Sequence, residues 1–195
     1  MIGITPPLSN AFRRIGWGLV FILLDLYIVG LDILPDFIGY IMIALALRDL
    51  SRKHDSFVRA KWVAFVLIVG SLPEVIQGAQ ISFLNLLDKP LQLSFLSVVV
   101  LMLHTLLVYW IFQGLIAIAW VHELRELRHT TAMRRAFYLI VNVSILIFLP
   151  FVLNAPDVLA VSVLPFCGLL SLLAEFLLLR LAYRYAKEYI NEAKV

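Results

Sequence analysis

From Phe95 to Val121 the chain runs 27 residues, FLSVVVLMLHTLLVYWIFQGLIAIAWV, without one aspartate, glutamate, lysine or arginine. Crossing a hydrocarbon core takes about 20 apolar residues of helix. In lipid, every backbone amide and carbonyl must also be satisfied within the protein. Such a run is suited to a membrane-crossing helix. The alternating segments of about 10 residues that build a membrane barrel do not resemble it. Composition agrees for the whole chain: 63% of the 195 residues are hydrophobic and 15% charged, against about 45–50% and about 25% in soluble domains.

The pattern predicts an all-α fold: one polytopic transmembrane domain of six spans, at about 15–33, 36–50, 62–80, 95–121, 136–153 and 158–183. Basic residues before the first apolar stretch are not followed by a small-residue cleavage site, so the first segment is read as a retained helix. Fifteen of the 16 lysines and arginines then fall on one side of the membrane, leaving only Lys89 for the other. Cytoplasmic faces carry that excess, so both termini are expected to be cytoplasmic, in a cytoplasmic membrane. The same placement explains the net charge of +3 without nucleic acid. A single cysteine, Cys167, excludes an intrachain disulfide or a thiolate metal cluster.

Within this apolar chain, LDILPDFIGY at 31–40 places Asp32, Pro35 and Asp36 close together, with Asp25 one heptad upstream. The stretch is expected to turn between spans one and two on the outer side. Pro35 suits the start of a helix, and Asp36 suits the positive end of its dipole. Asp25 has no such explanation. It lies about 10 Å along the helix from Asp32, inside the outer half of span one.

An ionisable side chain in the hydrocarbon region costs about 2.5–3.5 kcal/mol on insertion scales and calls for a partner or a purpose. Glu74 is about 20 Å from Lys61 and His104 about 27 Å from His122 at helical rise, which places both in the outer layer with Asp25. The expected ligand or ion site is therefore Asp25, Asp32, Asp36, Glu74 and His104. A deeper polar set comprises Gln113, Asn142 and Glu175, with Glu175 close enough to Arg180 for a snorkelling ion pair. The competing view is that these side chains hold helices together, and for His104, Gln113 and Asn142 that view is the simpler one. Prolines 73, 150 and 165 leave backbone carbonyls free where helices pack or line a cavity.

HELRELRH at 122–129 places His122, Glu126 and His129 on one face if span four continues into water, but it lacks the His-Glu-x-x-His spacing of a zinc site. No phosphate-binding glycine loop and no Gly-x-Ser-x-Gly elbow is present. The chain is read as neither an enzyme nor a metal or cofactor carrier.

Six spans in under 200 residues, both ends inside and little loop mass, resemble the general layout of the substrate-binding membrane subunits of energy-coupling-factor vitamin transporters. The likeness is one of size and topology and supplies no site residues. The leading expectation is a transporter, or a membrane-embedded substrate-binding subunit, for a cationic or protonatable small solute or ion. Its partners would be membrane lipid and, for an ATP-driven mechanism, separate membrane or ATPase subunits. The alternative is an accessory or regulatory membrane protein acting through protein or lipid contacts without translocation.

Overall fold

Lipid leaves a helix few places to stop, and six helices account for almost all of the described residues. The computed structural model describes residues 8–27, 36–77, 91–153 and 157–192. Among them every regular element is helical: α1 (Leu8–Tyr27), α2 (Asp36–Leu50), α3 (Asp55–Gln77), α4 (Leu91–Val121), α5 (Arg125–Leu153) and α6 (Asp157–Glu192). Only α2 keeps the expected limits. At its N-terminal end α1 begins seven residues before the expected Ile15, and α3, α4 and α5 also begin early, while α6 runs on to Glu192. Apolar composition marks the stretch that prefers lipid. Backbone hydrogen bonding carries the helix on through Arg13, Arg59, Arg128 and Lys187. The helices also pass uninterrupted through Pro73, Pro150 and Pro165. Expected span residues 28–33 and 78–80, and most of the segment 80–93 between spans three and four, lie outside the described residues.

Three stretches are long and apolar enough to cross a membrane: Val98–Val121, Arg125–Phe151 and Val163–Glu188. Their outer surface is greasy, with Met102, Ile140, Ile147, Phe151, Leu169 and Phe176 all exposed. Large apolar surface of this kind belongs against lipid or another protein.

Each helix packs on its sequence neighbours, and α6 closes on α1, so the six form a ring. At the α1–α2 seam the backbones touch. A Cβ on Gly18 would stand 2.7 Å from the Gly39 carbonyl oxygen, and one on Gly39 would stand 2.7 Å from that of Gly18. Ile43 and Ile22 cover the two glycines reciprocally, each at 2.6 Å from the added Cβ. Small residues that let backbones approach are a main source of helix adhesion in lipid.

The α4–α5 connection overturns the continuous helix expected through HELRELRH. The amide of Leu124 donates to the Ala119 carbonyl at 2.9 Å and that of Glu123 to Trp120 at 3.1 Å. Glu123 takes a left-handed φ of 55°. This is a Schellman stop with glutamate where glycine is usual. His122 therefore lies in the turn, whereas Glu126 and His129 follow it on α5.

The turn joins the end of α4 to the basic end of α5, and other contacts extend that end around the ring. Arg14 and Asp49 pair at 3.2 Å, Arg59 lies over Trp110 at 4.6 Å, and Phe12 meets Tyr185 at 5.6 Å between centroids. Every described lysine and arginine lies toward this end of its helix or in the turns that join them, whereas Asp25, Asp36, Glu74 and Asp157 lie toward the other.

Candidate functional site

The centre of the ring is polar. Tyr138 is the middle residue of the Arg125–Phe151 stretch, and Glu175 stands at the middle of Val163–Glu188. Tyr138 Oη donates to Glu175 Oε1 at 2.5 Å. The same oxygen lies 2.8 Å from His104 Nε2, and His104 Nδ1 lies 3.1 Å from Tyr40 Oη. Four helices thus contribute to one buried chain, Tyr40–His104–Glu175–Tyr138, on α2, α4, α6 and α5. It extends on one side through Asn142, which donates to the Tyr138 carbonyl at 3.0 Å and accepts from Ser171 at 3.1 Å. On the other side, Tyr40 is one turn along α2 from Asp36.

A second cross-link sets the register. Tyr185 Oη donates to the Leu115 carbonyl at 2.9 Å and lies 2.9 Å from Thr131 Oγ1. From the first cross-link to the second is about 16 Å along α4 and about 15 Å along α6. These two helices run parallel and level.

That geometry corrects two expectations. His104 does not belong to a layer separate from Glu175, since the two side chains touch. Nor does Glu175 reach for Arg180; its partners are His104 and Tyr138. Counting back from basic residues placed them at different depths because α6 continues well beyond Arg180, to Glu192. Gln113 does not join the chain either and donates to Tyr109 Oη on its own helix at 3.0 Å. Asp36 is half-buried in the first turn of α2. Asp32 lies outside the described residues, as do the side chains of Asp25 and Glu74.

Glu175 is 5% exposed, and its Oε2 is buried without a hydrogen-bond partner. A carboxylate with both donors on one oxygen leaves the other free to carry a proton or accept from a cationic ligand. Burying such an atom bare is costly. The chain also suits proton exchange. Neutral His104 donates through Nε2–H to Glu175 and accepts at Nδ1 from Tyr40. Imidazolium donates from both nitrogens, so one added proton requires only that the Tyr40 hydroxyl turn.

Toward the basic end the core is apolar and tight. The Phe112 and Tyr138 rings stand 5.9 Å apart, and the Phe57 ring lies on Gly114, where a Cβ would be 2.4 Å away. Both Phe57 and Phe112 are fully buried, so the packing toward that end is closed. Sequence reasoning overlooked Tyr40, Tyr138 and Ser171 because hydroxyls on apolar helices carry no charge signal. Tyr138 stood near the start of the expected span, 136–153, and becomes a mid-helix residue only because α5 begins at Arg125.

Fold and centre together define an all-helical protein with three helices able to cross a membrane and a hydrogen-bonded carboxylate between them. The chain matches no protein-family model, no curated protein and no solved structure.

Proposed function

We propose that this is a six-span protein of the cytoplasmic membrane, with both termini cytoplasmic, that takes up a proton or a small cationic or protonatable solute from the outer side. The observation that carries the reading is the Glu175 carboxylate, buried at mid-span with Oε2 unpartnered. Interhelical polar contacts average only about 0.6 kcal/mol in measured cases. A buried carboxylate is thus poor adhesive, and ionisable groups at membrane depth are characteristic of ion and proton pathways. Asp25, Asp32, Asp36 and Glu74 would concentrate cations at the acidic end, with Tyr40 and His104 linking that end to Glu175. The gathering of the described basic residues at the opposite end supports its assignment to the cytoplasm.

The test uses purified protein in liposomes loaded with a pH-sensitive dye, subjected to an acid pulse with sodium, potassium or methylammonium present. Wild type is expected to move protons faster than protein-free vesicles, and Glu175→Gln to return the rate to that of empty vesicles while melting within a few degrees of wild type. Wild-type rates equal to those of empty vesicles would overturn translocation. An active Glu175→Gln would overturn the role of the carboxylate.

The closed basic half favours a second reading, an accessory membrane protein that translocates nothing. Under it, neutralising Arg125, Arg128, Arg134 and Arg135 disrupts capture of a partner, and the flux assay is silent in every variant.

A further inference from the structure

Four basic side chains have an evident companion: Arg14 has Asp49, Arg59 has Trp110, Lys61 has Trp62 and Arg128 has the face of Trp120 at 4.4 Å. Three arginines between α5 and α6 differ. Arg134 Nη1 donates to the Leu177 carbonyl at 2.9 Å, which lays its guanidinium against α6. There it meets the charges of Arg180 and Arg184, one and two turns further along. Among the described residues none of the three is paired with a carboxylate.

All three lie inside stretches able to cross a membrane. Like charges repel more strongly as the surrounding dielectric falls, so a cluster at the edge of lipid is stabilised by an anion that bridges it. Arginine's fork of donors matches phosphate oxygens, whereas carboxylate or chloride would use it less fully. The adjoining surface is apolar. On α6, Leu173 and Phe176 are 47% and 54% exposed. Phe176, Arg180 and Arg184 follow at i, i+4 and i+8, so the greasy stripe of α6 leads directly to its arginines.

We propose that the α5–α6 face binds an anionic phospholipid, its phosphate held by Arg134, Arg180 and Arg184 and its acyl chains lying along Leu173 and Phe176. The apolar stripe favours a lipid over free phosphate, which has nothing to place there. This site is independent of the Glu175 reading, since none of its residues belongs to the central chain.

Thermal melts of the full-length protein in neutral detergent test it, titrated with dioleoylphosphatidylglycerol, dioleoylphosphatidylcholine or inorganic phosphate. Binding to the folded state raises the melting temperature. Phosphatidylglycerol is expected to stabilise wild type, and Arg180→Gln/Arg184→Gln to need about thirtyfold more of it, given about 1 kcal/mol for each of two basic residues at a membrane surface. Arg52→Gln/Lys53→Gln removes the same charge from the exposed α2–α3 turn and is expected to respond as wild type does. An unchanged response in the Arg180/Arg184 variant overturns the site, and an equal loss in the control reduces it to general attraction. Stabilisation by inorganic phosphate alone, or equally by phosphatidylcholine, overturns the anionic lipid. Should the glutamine variant fail to fold, Arg180→Lys/Arg184→Lys retains the charge but not the fork. Native mass spectrometry should then show fewer phosphatidylglycerol adducts than wild type, and equal adduct numbers would overturn the arginine cradle.

Discussion

The α1–α2 seam and the centre of the ring hold helices together by opposite means. At the seam, Gly18 and Gly39 bring two backbones into contact under Ile22 and Ile43. At the centre, Tyr40, His104, Glu175 and Tyr138 meet through hydroxyl, imidazole and carboxylate. In lipid the first arrangement is sufficient for adhesion, because close contact brings dispersion without any group to desolvate. The second leaves a carboxylate oxygen without a partner. The contrast is the ground for proposing that the centre does something besides hold helices together.

The seam should be the less forgiving of the two. Gly39→Val would push Cβ into the Gly18 carbonyl and force the helices apart, with an expected loss of about 3 kcal/mol or more, read by denaturant titration in mixed micelles. A loss below about 1 kcal/mol would show that the seam slides open easily and would erase the distinction. At the centre, Tyr138→Phe deletes one donor to Glu175 at nearly constant volume, with an expected loss of about 1–3 kcal/mol in the same titration. A larger loss than at Gly39 would make the polar chain the principal fastening and remove the reason for assigning it another task. The smallest effect belongs to Arg14 and Asp49, which join α1 to α2 at the basic end with side chains 49% and 19% exposed. A double-mutant cycle to alanine should give a coupling of about 0.2–1 kcal/mol.

Sequence was informative where a single residue's chemistry carries the signal. The apolar runs locate the helices, the basic residues gather at one end, and Asp36 opens α2 where its charge suits the helix dipole. It was less informative wherever meaning depends on two elements meeting. Glu175 stood out as a buried carboxylate, but its link to His104 spans 71 positions and depends on α4 and α6 running level. Gly18 and Gly39 lie on different helices, so neither forms the Gly-x-x-x-Gly spacing that marks a packing face along one segment. The stop at Glu123 lacked the glycine that usually announces it. Its available cue was Leu124, which packs against the core just beyond the turn.

Closure of the ring by α6 against α1 also orders events in time. The helix that completes the circle is the last of these six to be synthesised, and it carries Glu175. A nascent chain lacking it would hold His104 and Tyr138 without their shared acceptor, and one side of α1 would remain uncovered. Under the proposed function, proton exchange at this centre would therefore have to await the synthesis of α6.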